Sequence, residues 1–212
     1  MGKTMTGLES DVARRIAAAD ITGLILAGGR GSRMGGIDKG LQPWRGQPLA
    51  LQVLQRLRPQ VGSVLLNANR NLDVYRQWGL PVHSDALPDY PGPLAGFLAG
   101  LDVCTTRYLL TVPCDSPLLP LDLAARLGAG LLAQQARIAL PRAGGRLQPV
   151  FCLLDASLRD DLRAFIQSGG SKIDLWTARH PTAIVPFDDI AAFENINTLD
   201  DLQRLDASAA RP

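Results

Sequence analysis

The chain has 212 residues, 46% of them apolar and 20% charged, and its 22 basic residues nearly balance 20 acidic ones for a net charge of +2. This composition predicts one soluble globular domain with a sizeable core, and the near-neutral balance gives a nucleic-acid partner little electrostatic support. No apolar run reaches the ~18–20 residues that span a bilayer, residues 1–20 hold no signal-peptide core, and Cys104, Cys114 and Cys152, without C-x-x-C spacing, suit buried thiols in a reducing cytoplasm.

Residues 1–20 read as an N-terminal extension, helical or disordered. Thr6 and Glu9 form a capping-box pattern, and Leu8, Val12 and Ile16 follow at helical spacing. The domain proper is expected over 21–212. An apolar run at 21–27 reads as a buried strand. It opens into a loop holding Gly28, Gly29, Gly31, Gly35 and Gly36, and within it Arg30, Arg33 and Lys39. Glycines let a ligand approach the main chain closely, and consecutive backbone N–H groups in such a loop form an anion-binding concavity. A strand that opens into a basic glycine loop suits a polyphosphate.

Further along, Pro48 fits the first position of a helix carrying Leu49, Val53, Leu54 and Leu57. A second strand is expected over 61–67, a short helix over 72–78, a short strand over 80–83 and a proline-rich loop over 85–93. A helix over 94–103 and an apolar strand over 108–112 come next, and the strand runs into Pro113-Cys114-Asp115-Ser116-Pro117. Asp122 is expected to cap a helix reaching about residue 133. Gly144-Gly145 separates extended runs at 137–141 and 147–154, which predicts a hairpin-like antiparallel element. A helix over 157–167, a strand over 183–186 and a final helix starting at Thr198 complete the chain.

Strands alternating with helices predict a single α/β domain. Its sheet should be open, mostly parallel and Rossmann-like, with helices on both faces and one antiparallel element. Ligands of such sheets sit beyond the carboxyl ends of the strands. The glycine loop, Asn67, Asp85 and Asp115 all fall at or just after strand ends, so they are expected on one rim.

Two familiar phosphate motifs fail here. A P-loop needs Gly-Lys before Ser or Thr, but Lys39 precedes Gly40. A dinucleotide fingerprint counted from Gly29 and Gly31 meets Met34 where its third glycine belongs. The second strand ends in Asn67-Ala68-Asn69, without the acidic residue that would take a ribose. A dehydrogenase is disfavoured.

Several other motifs occur in a fixed order: Leu26-Ala27-Gly28-Gly29, Met34-Gly35-Gly36, Asp38-Lys39-Gly40, Asn67-Ala68-Asn69-Arg70, Asp89-Tyr90-Pro91-Gly92-Pro93-Leu94-Ala95-Gly96, Pro113-Cys114-Asp115 and Asn195-x-Asn197-Thr198. In this series the chain resembles the bacterial molybdenum cofactor guanylyltransferases, over about residues 21–206. The loop alone indicates only the nucleotidyltransferase superfamily, and the later motifs narrow it. Residues 1–20 lie outside the resemblance, region 137–183 matches weakly, and Leu199 stands where the family usually has proline.

The resemblance implies a fold like that of nucleotide-diphospho-sugar transferases. It implies transfer of GMP from GTP to the terminal phosphate of molybdenum-bound molybdopterin, with release of pyrophosphate. Both reactants are anions and the attacking phosphate is already ionised, so positioning and charge stabilisation suffice without a protein nucleophile. By the same resemblance, Leu26, Ala27, Gly28, Gly29, Gly31, Lys39, Asn67, Asp85 and Asp115 match GTP-binding positions. Lys39, Arg33 and Asp115 take the catalytic roles, and Asp115 is the ligand for Mg²⁺, or Mn²⁺ in its place. Asn195 and Asn197 match molybdopterin-binding positions, and alternation in a strand would put both on one face. GTP and molybdenum-molybdopterin are the implied partners, together with cofactor-biosynthesis proteins and molybdoenzyme apoproteins or their chaperones. Neither nucleic acid nor membrane is expected. A cytidylyl or sugar-phosphate nucleotidyltransferase of the same fold stays open as an alternative, as does a GTP-binding regulator without activity.

Overall fold

The computed structural model describes residues 15–28, 38–85, 92–196 and 201. Its main sheet is built around β1 (Ile21–Leu26), which pairs in parallel with β4 (Ser63–Asn67) on one side and β6 (Tyr108–Pro113) on the other. β4 pairs in parallel with β5 (Val82–His83) at one edge. Beyond β6 lies β9 (Cys152–Asp155), antiparallel both to β6 and to β7 (Ile138–Ala143). β10 (Thr182–Phe187) closes the other edge in parallel with β7, and β8 (Arg146–Leu147) forms a short hairpin with β7. The sheet order is therefore β10-β7-β9-β6-β1-β4-β5. This is the mixed, mostly parallel α/β domain that the element pattern predicts.

Side chains alternate along the central strands and divide the core in two. Ile21 and Ile25, Val64 and Leu66, and Leu110 and Val112 face α1 (Leu49–Leu57) and α4 (Leu123–Ala133). Leu24, Leu65 and Leu109 face α3 (Pro93–Val103), α5 (Arg159–Gln167) and α6 (Ile173–Thr177). Helices thus cover both faces. Strands buried on both sides read as unbroken apolar runs, which is why β1, β4 and β6 are legible in the sequence. Truncating a fully buried side chain such as Leu57 to alanine is expected to cost about 2–5 kcal/mol.

The structure corrects several local expectations. Pro48 is not the first helical residue. It ends a hairpin of β2 (Pro43–Trp44) and β3 (Gln47–Pro48) and serves as the N-cap of α1. The hairpin turns on Arg45 and Gly46, both at positive φ (50° and 75°), the geometry of a two-residue turn matched to strand twist. Asp122 does sit at the N-cap of α4, but its side chain makes no capping bond; the Ala124 N–H donates to Gln60 Oε1 (3.0 Å) instead. The extended run expected over 147–154 breaks at 148–151, where Pro149 has no N–H for the ladder and Phe151 N–H turns back to the Gln148 carbonyl (3.0 Å). Only then does the chain enter β9. α6 was not foreseen. Cys104 is half-buried, whereas Cys114 and Cys152 are buried. Within the expected extension, residues 18–20 form a 3₁₀ turn and Ile16 packs against the core. The capping box at Thr6 lies outside the described residues, as does the final helix except for helical Asp201.

Candidate functional site

The carboxyl ends of β1, β4 and β6 meet at one rim. There the Cys114 N–H donates to the Leu26 carbonyl (3.1 Å) and the Ala27 N–H to the Asn67 carbonyl (2.8 Å), so the three strands leave the sheet in register. Asp115 emerges just past β6 and is nearly buried. Its Oδ2 accepts from Lys39 Nζ at 3.4 Å. At that distance and an effective dielectric of ~20, the pair attraction is about 5 kcal/mol before desolvation. Burial pushes the Asp115 carboxyl above its usual range, and the Lys39 charge and hydrogen bond only partly oppose this. In the ligand-free chain the ionised carboxylate is therefore held against its environment.

Lys39 is aimed by its neighbours. It begins a 3₁₀ turn capped by Asp38, whose Oδ1 accepts from Gly40 N–H (3.1 Å) and from Tyr75 OH (2.7 Å). Asp38 Oδ2 accepts from Asn71 Nδ2 (2.9 Å). A Cβ on Gly40 would lie 2.4 Å from the Tyr75 hydroxyl, so only glycine lets this turn pack beneath Lys39. Burial and the bond to Asp38 push the Tyr75 phenol well up, which keeps it a donor. Burial, with the nearby Asp115 and Asp38 charges, likewise raises the Cys114 thiol and keeps it protonated. Cys114 is thus no thiolate nucleophile.

On the far side of the rim, Asn67 is buried at the end of β4. Its Nδ2 donates to Asp85 Oδ1 (2.8 Å) and to the His83 carbonyl (3.3 Å). Asn69 Nδ2 donates to Asp85 Oδ2 (2.7 Å) and to the Gly28 carbonyl (3.0 Å), and Asn69 Oδ1 accepts from Asp85 N–H (2.9 Å). Two amides therefore fork the Asp85 carboxylate. Gly96 of α3 lets this arrangement close, since a Cβ there would sit 2.6 Å from Asn67 Oδ1.

The sequence-predicted residues divide accordingly. Leu26, Ala27, Gly28, Lys39, Asn67, Asp85 and Asp115 come to the one rim. Asn195 joins them: its Oδ1 accepts from Ser116 Oγ (2.7 Å), and the next N–H, of Ile196, donates to the Asp115 carbonyl (2.8 Å). Asn195 is not in a strand, so alternation along one cannot be what directs its side chain; residues 194–196 are irregular after a 3₁₀ turn at Ala191–Phe193. Gly29, Gly31, Arg30, Arg33 and Asn197 lie outside the described residues. Sequence reasoning passed over Asp38, Asn69, Asn71 and Tyr75 as site residues. For Asn69 and Asn71 the available signal was their recurrence at alternate positions from Asn67, the last residue of β4; Asp38 and Tyr75 carried none.

Among the described residues, no group of three or more His, Cys, Asp or Glu side chains is placed to hold a metal ion. One nearly buried carboxylate is the donor set on offer at Asp115. That suits a hard cation that takes one or two carboxylates and completes its shell with phosphate and water, and it does not suit an all-protein cage.

A lysine–aspartate pair thus sits at the carboxyl ends of parallel strands, next to a glycine-bearing strand exit, and solved structures share the fold. The molybdopterin-guanine dinucleotide biosynthesis protein A of Archaeoglobus fulgidus superimposes with TM-score 0.73 at 22% identity, over 90% of this chain and 100% of that one. The 4-diphosphocytidyl-2C-methyl-D-erythritol synthase of Anaerococcus prevotii gives TM-score 0.72 at 12% identity, over 92% and 97%. The chain belongs to the MobA-like NTP transferase domain family, whose model matches residues 23–182. A relative from Ralstonia nicotianae, named molybdenum cofactor guanylyltransferase, is 61% identical over 199 residues, 90% of this chain and 98% of the relative. One of the same name from Acidovorax sp. is 56% identical over 206 residues, 91% and 98% of the two chains. Among the described residues, no helix is long and apolar enough to cross a membrane.

Proposed function

We propose that the chain transfers GMP from GTP to the terminal phosphate of molybdenum-bound molybdopterin, forming the guanine dinucleotide cofactor and releasing pyrophosphate. The carrying observation is that Lys39, Asp115 and Asp85 converge on one strand rim, in a chain that shares more than half its residues with relatives named for this activity. In the reaction, a terminal phosphate oxygen of the pterin attacks the α-phosphorus of GTP. The bond from that phosphorus to the bridging oxygen breaks, and pyrophosphate leaves. No protein group needs to take a proton from the attacking oxygen.

Lys39 offsets phosphate charge as negative charge builds on the leaving group, the kind of preorganised electrostatic help that mutagenesis values at about 10²–10³-fold per donor. Leu26, Ala27, Gly28, Gly29 and Gly31 supply the main-chain approach to the triphosphate, and Arg33 adds charge. Asp115 is the residue that would hold a divalent cation, Mg²⁺ by preference with Mn²⁺ able to replace it. When bound, that cation neutralises phosphate oxygens and polarises the α-phosphorus. It would also offset the negative charge that burial disfavours on Asp115. Asp85 is suited to accept from the ring N–H and amino group of guanine, and Asn67 is better placed to orient Asp85 than to touch the base, since its amide hydrogens already bond within the protein. Asn195, beside Ser116 at the Asp115 end, is assigned with Asn197 to the pterin side. Residues 1–20 are an extension to the domain at 21–212.

The test is incubation of the purified protein with GTP, Mg²⁺ and molybdopterin, followed by detection of the guanine dinucleotide and pyrophosphate. Product with GTP and little with CTP is the expected result. Equal or better turnover with CTP would remove the guanylyl assignment.

A further inference from the structure

The segment 67–71 (Asn67-Ala68-Asn69-Arg70-Asn71) touches both sides of the site. We propose that it works as one clasp, in which Asn69 and Asn71 are positioning residues: Asn69 fixes Asp85 on the base side, and Asn71 fixes the Lys39 turn on the phosphate side. This rests on the nucleotide reading given above for Asp85 and Lys39.

The segment is itself held to the sheet edge. Ala68 N–H donates to the His83 carbonyl (3.0 Å), and Ser84 Oγ donates to the Ala68 carbonyl (3.0 Å). From that base Asn69 reaches across. One side chain bonds the Gly28 carbonyl, one Asp85 carboxylate oxygen and the Asp85 N–H, so the strand exit of β1 and the carboxylate are fixed relative to each other. Two residues later Asn71 turns the other way. Its backbone is left-handed (φ 52°), and its carbonyl accepts from Val74 and Tyr75 N–H (3.0 and 3.3 Å) at the start of α2 (Leu72–Arg76). Asp38 is therefore gripped twice: by Asn71 Nδ2 on one carboxylate oxygen, and by the Tyr75 hydroxyl on the other. Asp38 also caps the Gly40 N–H, so Lys39 is bracketed on both sides.

The residue type at 71 argues that the side chain matters. A left-handed position alone is served best by glycine. Asparagine tolerates the same conformation and adds a donor. Both Asn69 and Asn71 are exposed and bury little apolar surface, so what they contribute is the direction of two carboxylates and not core packing.

The experiment compares Asn69→Ala and Asn71→Gly, the latter keeping the left-handed backbone while removing only the amide. The chain has three lysines, Lys3, Lys39 and Lys172, so reductive ¹³C-methylation gives a simple lysine spectrum in which Lys39→Arg assigns one signal. In ligand-free protein, Asn71→Gly should move the Lys39 signal and Asn69→Ala should leave it in place. In kinetics, each lost bond to a charged group should cost about tenfold. Asn69→Ala is expected to raise KM for GTP and narrow the preference for GTP over inosine triphosphate, which lacks the amino group, at little change in kcat. Asn71→Gly is expected to lower kcat, counted per folded molecule by circular dichroism, at little change in KM; general loss of folded protein would lower the apparent kcat as well, so the moved Lys39 signal in folded protein is the reading that separates the two. An unmoved Lys39 signal in Asn71→Gly, or kcat and KM equal to wild type in both variants, overturns the clasp. If the wild type neither binds nor uses GTP while Asn71→Gly alone still moves the Lys39 signal, the clasp stands and the nucleotide reading falls.

Discussion

Asp115 and Asp161 each lie near a basic side chain, yet the fold holds them in opposite electrostatic conditions. At Asp115, burial dominates, and one lysine at 3.4 Å does not restore the carboxyl to its usual range. Asp161, on α5, accepts from Trp176 Nε1 and His180 Nε2 (both 2.9 Å), with Arg179 3.8 Å away. Burial alone would raise Asp161 too, but those bonds and the Arg179 charge outweigh it and hold the carboxyl below its usual range. The second aspartate is a clip between α5 and α6, and its ionised form is part of what makes the fold stable. The first carries a charge that the folded chain disfavours and that a bound cation with its phosphates would complete. Residue type and a nearby cation do not separate the two cases; the balance of burial against partners does.

Substitutions can break or sharpen this contrast. Asp115→Asn should have the largest effect on turnover, a loss of about 10²–10³-fold or more. The same change should leave the ligand-free melting temperature at neutral pH no lower than wild type. Pyrophosphate release and thermal unfolding measure the two, and a melt depressed by several degrees would remove the distinction drawn from Asp161. Lys39→Ala should follow, with about 10²-fold lower turnover in a folded protein; wild-type rates there would show that the ammonium does not act on phosphate. Asp85→Ala is expected to weaken GTP binding about tenfold, as for one lost charge-assisted pair of bonds. Isothermal titration with GTP and inosine triphosphate would read this, and the two nucleotides should converge. The smallest effect belongs to Asp161→Asn. With the carboxylate partly exposed, its loss should cost about 1 kcal/mol, or about 2–4 °C in melting temperature, without changing kcat/KM. Because the folded carboxyl is depressed below 3.8, its stabilisation is fully present above that pH and is lost as pH falls through the folded value. Denaturant midpoints of wild type and Asp161→Asn should thus differ at neutral pH and converge in acid; a constant gap would contradict the clip.

Much of this molecule was legible before its structure. β1, β4 and β6 are apolar runs bounded by turn residues, and α3 and α4 carry long apolar stretches. Asp85 and Asp115 stand just after strands, and Lys39 lies beyond the glycines of the loop that leaves β1, where a parallel sheet places ligand contacts. What escaped was short or non-local. The two-residue strands of the Trp44–Gln47 hairpin and the five residues of α6 are too brief for a periodic pattern. Asp38 and Asn71 are 33 residues apart, and Tyr75 lies 37 residues from Asp38, so no local window shows that they form one network.

Local periodicity in the chain was enough for the longer elements and their order, and side-chain chemistry was enough to mark Lys39, Asp85 and Asp115 as candidates for the site, because both are properties of short stretches. Tertiary structure alone decided that β9 slips between β7 and β6, that Asn67, Asn69 and Asn71 converge on two separate carboxylates, and that Asp115 is strained toward its neutral form while Asp161 is not. Burial and pairing are sums over neighbours from distant parts of the chain, and those sums exist only once the sheet has closed.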